Sequence, residues 1–166
     1  MATQNELLAP MDGLLMPLRE VPDEVFATGM LGDGFAIAPR EDAASVTVCA
    51  PADGQIETVA DAGHAYTLHT DDGLELLVHI GIDTVTLKGA PFRSLVSAGD
   101  RVRAGDALVR ADLGAIRAAD LPTVTPVLIT NPEILSDLSL ALGEAEGGVT
   151  AAARYRTANR EKKGRF

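Results

Sequence analysis

The sequence predicts an all-β protein, an antiparallel β-sandwich of the duplicated type with a few short helices. Three observations carry this. Asp-Gly and Gly-Asp turn signals recur along the chain, at Asp12-Gly13, Gly32-Asp33-Gly34, Asp53-Gly54, Asp72-Gly73, Gly99-Asp100 and Gly105-Asp106. Short apolar or alternating runs lie between them, the rhythm of a sandwich or barrel. In addition, Ala9-Pro10-Met11-Asp12-Gly13-Leu14 is echoed by Ala50-Pro51-Ala52-Asp53-Gly54-Gln55, so one strand–turn unit is used twice.

The elements follow in order. Gly34–Ala38 and Ser45–Cys49 are the first runs bounded by turns, and Gln55–Val59 alternates polar and β-favouring residues. Ala65–His69 and Leu74–Ile82 flank Asp72-Gly73, a strong hairpin signal. Pro91–Ala98 reads as a short helical turn, and Arg101–Arg103 and Ala107–Ala111 as strands. Leu113–Ala119 reads as a helix. So does Pro132–Leu142, where Asn131 offers an N-cap and Pro132 the first helical position. The last strand, Val149–Arg156, is weakly patterned.

A length of 166 residues suits one domain with a real core, and no apolar run reaches the roughly 18 residues of a membrane helix. The N-terminus lacks the basic start and apolar stretch of a signal peptide. Cys49 is the lone cysteine, which excludes an internal disulfide and fits a reducing cytoplasm. The net charge of −10 is asymmetric: residues 154–165 hold six of the fourteen basic side chains. The expected division is a domain over residues 1–153 and a disordered basic tail over 154–166. The body carries eight basic against 23 acidic side chains, a net of −15. Such a body repels nucleic acid and favours basic protein partners.

The functional signal is a histidine, His79, inside the most hydrophobic run, with His64 upstream. A histidine in an apolar strand costs stability unless its ring nitrogens find partners. A two-residue loop at Asp72-Gly73 sets His79 opposite Tyr66, diagonal to His64; a four-residue loop from Thr70 to Gly73 sets it opposite His64 itself. Either even loop puts both rings on one face, with Cβ atoms about 5–8 Å apart. An odd loop separates them. His69 has the opposite parity and leaves by the other face, while Leu74, Leu76, Val78 and Ile80 face the core. Two facing imidazoles suit phosphoryl relay, in which a neutral ring is the nucleophile and its neighbour donates to phosphoryl oxygens. They also suit zinc, with Asp83 as a carboxylate, or a purely structural pair. Spacing alone leaves the three open.

The motif His79-Ile80-Gly81-Ile82-Asp83-Thr84-Val85, followed by Leu87-Lys88-Gly89, resembles the active-site signature of the glucose-type enzyme IIA of the bacterial phosphoenolpyruvate:sugar phosphotransferase system. Ala9–Gly13, Val21–Phe26, Gly32–Gly34, Ala50–Gly54, His64-Ala65, Gly99–Val102, Thr125–Val127 and Asn131 extend the resemblance over most of the chain. It implies a β-sandwich phosphocarrier. His79 would accept a phosphoryl group from phospho-HPr, as a tele-phosphohistidine, and pass it to a cysteine of a IIB domain. His64 would stabilise the transition state, Asp83 would support the site, and Asp23, Val25, Phe26 and Leu77 would receive partners. No cofactor is required, though some members hold zinc between the two histidines. The implied location is cytoplasmic, with peripheral association to a membrane permease and no insertion.

There are departures. Where the family usually carries a threonine two residues before the second histidine, this chain has Ala62, and Ala60 and Leu77 replace aromatic rim residues. Cys49 lacks the basic loop that would activate a phosphocysteine and is expected to be structural. Lys88 lacks the turn of a biotinyl or lipoyl site. The alternatives are a zinc peptidase of lysostaphin-like type, whose His-x-His pair is absent here, and a non-catalytic regulatory binding module.

Overall fold

The computed structural model describes residues 5–158. Fourteen strands and two short helices follow in chain order: β1 (Asn5–Leu8), β2 (Gly13–Pro17), α1 (Glu24–Ala27), β3 (Asp33–Pro39), β4 (Ser45–Cys49), β5 (Gly54–Val59), β6 (Ala65–Thr70), β7 (Glu75–His79), β8 (Phe92–Ser94), β9 (Arg101–Val102), β10 (Ala107–Asp112), α2 (Leu113–Ala118), β11 (Thr125–Ile129), β12 (Leu135–Leu140), β13 (Gly143–Ala145) and β14 (Ala151–Thr157). All strand pairs are antiparallel. An eight-stranded sheet runs β13-β2-β3-β11-β7-β6-β5-β9, and two three-stranded sheets, β1-β14-β12 and β4-β10-β8, pack with it around one core. No described helix is long and apolar enough to cross a membrane.

Period-two alternation decides which side chains enter that core. Leu76 and Val78 of β7, Phe35 and Ile37 of β3, and Val127 and Ile129 of β11 point inward and are buried with Leu74 and Ile80. Their neighbours Ala36 and Leu128 point outward. There they meet Leu18, Val21, Phe26, Ile82 and Val124 in a second apolar cluster, against which Leu77 packs. The middle of the large sheet is therefore covered on both faces.

The sequence echo is a real duplication. Leu8 donates its N–H to Pro51 O, and the equivalent Cys49 donates to Pro10 O, so the two units clasp reciprocally. Asp12 accepts from Gly147 N where Asp53 accepts from Ala104 N. The turn glycines match too: a Cβ on Gly13 would lie 2.2 Å from Ala38 O, and one on Gly54 2.2 Å from His69 O. No side chain fits such backbone contact.

Three local expectations are corrected. Pro132–Leu142 is a single 3-10 turn, Pro132–Ile134, followed by β12. Asn131 does not cap it; its side chain accepts from Glu75 N and donates to Gly73 O across the β6–β7 loop. Leu135 and Leu138 mimicked a helical spacing because a bulge between Leu135 and Asp137 turns both toward the core. Pro91–Ala98 contains a strand, β8, paired with β10. The boundary at residue 153 falls inside β14, where Arg154 and Arg156 are strand residues facing Glu6 and Asp137. The rest of the expected tail, from residue 159, lies outside the described residues. The helix at Leu113–Ala118 matches expectation, capped by Asp112, which accepts from Ala115 N.

Candidate active site

The hairpin pairs Ala65 with His79 and His69 with Glu75, leaving the five residues 70–74 as the loop. Its length is odd, so the parity argument fails on its own terms. His79 faces Ala65, and His69 shares the outer face with His79. The two site histidines nevertheless meet, because His64 precedes β6. Gly63, at φ +75°, turns the chain there, and His64 O accepts the N–H of Ile80 at 2.7 Å. Freed from the pleat, the His64 ring swings onto the outer face. Its centroid lies 5.0 Å from that of His79, with the rings at 77°.

His79 ends β7 and is held from behind. Gly81 adopts φ +75°, and a Cβ there would lie 2.6 Å from Thr84 Cγ2 and 2.9 Å from Pro122 O. Thr84 is buried and donates its hydroxyl to Ile80 O at 2.6 Å. This tight turn aims Gly81 O at the imidazole, and His79 Nδ1 donates to it at 2.7 Å. A carbonyl can only accept, so Nδ1 carries the proton and Nε2 keeps its lone pair. Burial pushes the His79 pKa below the ordinary 6.5, against the Gly81 bond and the charges of Asp23 and Asp83, which push it up. The ring is therefore held neutral and nucleophilic.

His64 is also shifted downward, by burial first and by the His79 charge second. Its Nδ1 is buried and has no hydrogen-bond partner. Here the departure at Ala62 becomes physical: the described residues supply no group in place of the expected threonine hydroxyl. Phenyl rings flank the pair, Phe26 at 5.2 Å from His79 and Phe92 at 6.5 Å from His64. Sequence reading missed Phe92, since it lay in a stretch taken for a turn.

The other expected site residues sort as follows. Asp83 sits at φ +61°, and its side chain makes no cap bond to the 3-10 turn Thr84–Leu87; it acts on His79 through charge. Asp23 caps α1 by accepting from Val25 N at 2.9 Å, and its charge also reaches His79. Val25 is 44% exposed and can meet a partner, as can Val85 at 52%, which sequence reading did not single out. Phe26 is corrected: it is buried, and serves as a wall of the His79 site rather than as an exposed docking residue. Leu77 is half-buried against the outer cluster. Cys49 is half-buried, and burial, then Asp12 and Asp106, push its thiol pKa up, the reverse of an activated nucleophile.

As a metal site the pair is incomplete. Among the described residues, no third His, Cys, Asp or Glu gathers with His64 and His79 closely enough to complete a donor set. Zinc held between them would need a further ligand from beyond the described residues.

Residues 5–135 match the family described as phosphoenolpyruvate-dependent sugar phosphotransferase system, EIIA 1. The chain is 46% identical over 134 residues to the glucose-specific EIIA component of Halalkalibacterium halodurans, covering 80% of this chain and 75% of that protein. It is 43% identical over 142 residues to the mannose-specific EIIBCA component of Corynebacterium glutamicum, covering 86% of this chain but only 19% of that longer protein. In structure it matches the glucose permease IIA of Mycoplasma capricolum with a TM-score of 0.83 and 39% identity, over 91% of this chain and 96% of that one. A β-sandwich with two imidazoles brought together on its outer face, and this breadth of similarity, place the chain in the EIIA type 1 family of the phosphoenolpyruvate-dependent sugar phosphotransferase system.

Proposed function

We propose that the protein is a phosphocarrier, taking a phosphoryl group from phospho-HPr onto His79 Nε2 and delivering it to the cysteine of a IIB domain during sugar uptake. One observation carries the reading: His79 keeps its proton on Nδ1, bound to Gly81 O, and so offers a free Nε2 lone pair 5.0 Å, ring centre to ring centre, from a second imidazole. In the forward step Nε2 attacks phosphorus in line as the donor's N–P bond breaks. The positive charge that develops on the His79 ring is taken up by the Nδ1–H bond to Gly81 O and by the nearby carboxylates of Asp23 and Asp83. In the return step the cysteine thiolate attacks, the His79 N–P bond breaks, and the ring leaves neutral.

His64 supports the transfer as a donor. A buried lone pair left unpaired is tolerated better than a buried N–H, so the proton of His64 belongs on Nε2, not on orphaned Nδ1. From there it can bond the phosphoryl oxygens as their charge shifts. Low proton affinity in both rings keeps two charges from facing each other. The protein acts in the cytoplasm, with Val25 and Val85 on the rim meeting HPr and a permease-borne IIB domain in turn. No metal is required for the step; the EIIA family match, with no His-x-His pair in the sequence, argues against the peptidase reading.

The test is incubation with enzyme I, HPr and phosphoenolpyruvate, followed by phosphorus NMR. The wild-type protein is expected to show one Nε2-phosphohistidine, and His79→Gln none. His64→Gln is expected to accept the group but to lose onward transfer to a IIB domain. Full labelling of the His79 variant would overturn the reading.

A further inference from the structure

We infer that Glu57, His69 and Glu75 form a second site, for a transition-metal dication of the zinc class, on the outer face of the large sheet. Their donor atoms all lie within 4.8 Å of one another. Strand register builds the cluster: His69 of β6 stands directly opposite Glu75 of β7, with Nδ1 2.6 Å from Glu75 Oε1. On the other flank β5 carries a bulge. Ile56 pairs with Leu68 and Thr58 with Thr67, so Glu57 is the extra residue, exposed beside the exposed Thr58, whose hydroxyl bonds Thr67. Bulges re-aim side chains in this way, and here one brings a second carboxylate to a histidine already paired with the first.

The donor set is one imidazole and two carboxylates, a combination suited to zinc, cobalt or manganese rather than to calcium or magnesium. A tetrahedral zinc with ligands at about 2.1 Å separates neighbouring donors by about 3.4 Å. The exposed Glu57 and half-buried Glu75 side chains can close the remaining distance by rotation, while the three paired strands hold the backbone fixed. The cluster also lacks another cation. Among the described residues the Lys and Arg ion pairs go to Asp42, Asp71, Glu6 and Asp137, and none to Glu57 or Glu75. Among the described residues the two carboxylates share this spot with His69 and with no Lys or Arg paired to either, on a chain of net charge −10. The site lies four residues along β7 from His79, roughly 13 Å away, and shares no ligand with the His64–His79 pair.

Histidine-ring NMR distinguishes the two places. Zinc is titrated into the wild-type protein, into the double variant His64→Gln, His79→Gln, and into the double variant Glu57→Gln, Glu75→Gln. The His69 ring nitrogens are expected to shift saturably in the first two. In the third, zinc affinity at His69 is expected to fall by at least the ~10–100-fold that even outer-shell losses cost metal sites. The unaltered His64 and His79 signals confirm that the third variant is folded. His69 signals that ignore zinc, or that titrate with the same midpoint in the glutamine variant, overturn the inference.

Discussion

Two histidines on one face of one hairpin have opposite environments. His79 stands at the end of β7 with its Nδ1 on a backbone carbonyl and aromatic rings around it. His69, opposite the start of the same strand, is exposed and bound to a carboxylate at 2.6 Å. At the first place burial lowers proton affinity and a neutral acceptor fixes the tautomer, which leaves a nucleophile. At the second, solvent and charge partners leave a ligand. Residue type and sheet face are shared, so the chemistry is set by what the next turn of chain brings to each ring.

The contrast is broken most severely by opening the His79 pocket. Phe26→Ala removes a buried ring 5.2 Å from His79. It is expected to cost about 3 kcal/mol of stability in denaturant unfolding. It should also raise the His79 pKa toward 6.5, since burial is the largest cause of its lowering. An unchanged His79 titration would show that Phe26 does not supply that burial.

Gly81→Ala attacks the tautomer instead. The new Cβ would strain a φ of +75° and crowd Thr84 Cγ2 and Pro122 O, for a loss of about 2–3 kcal/mol. Displacing the Gly81 carbonyl frees Nδ1, so the phosphorylated variant should show Nδ1- as well as Nε2-phosphohistidine by phosphorus NMR. A single Nε2 signal at wild-type yield would show that the carbonyl does not direct the attack.

A milder test is pH. Both His64 and His79 have proton affinities below the ordinary 6.5 in the folded chain. The unfolded chain therefore binds more protons just below that pH, and stability rises with pH there. Their contribution is complete above about pH 6.5 and is lost as pH falls through the lowered folded values. Thermal unfolding between pH 5 and 7.5 should show this slope, and the double variant His64→Gln, His79→Gln should flatten it.

Much of this was legible in the sequence, for reasons that can be named. Alternation in Leu74–Ile80 marked the core face, and the repeated Ala-Pro-x-Asp-Gly unit marked the duplication. The hairpin register was not legible. Asp72-Gly73 carries a two-residue turn signal, yet Asp72 accepts from Asn5, Tyr155 and Thr70, and Asn131 ties Gly73 O and Glu75 N. Those distant groups hold the five-residue loop, and local turn preference cannot report them. His64 and His79 were paired correctly through a wrong register, because Gly63 lifts His64 out of the strand. His69 was misplaced by the same error, so its cluster with Glu57 and Glu75 went unread.

The smallest expected effect concerns the unpaired nitrogen at the site. His64 Nδ1 is buried without a partner among the described residues, two residues after Ala62, where the family resemblance of the sequence leads to the expectation of a threonine. Ala62→Thr would offer a hydroxyl to that nitrogen, and one such bond contributes about 1 kcal/mol. A hydroxyl donating to the Nδ1 lone pair would also fix the proton on Nε2, the form that serves phosphoryl oxygens. The variant should therefore gain up to ~1 kcal/mol in unfolding and pass phosphate to a IIB domain a few-fold faster, with acceptance from HPr little changed. Equal gains in both transfers would place the effect on His79 or on general stability. A gain confined to onward transfer would show that the orientation of His64 limits this chain, and that its second imidazole works with less support than the first.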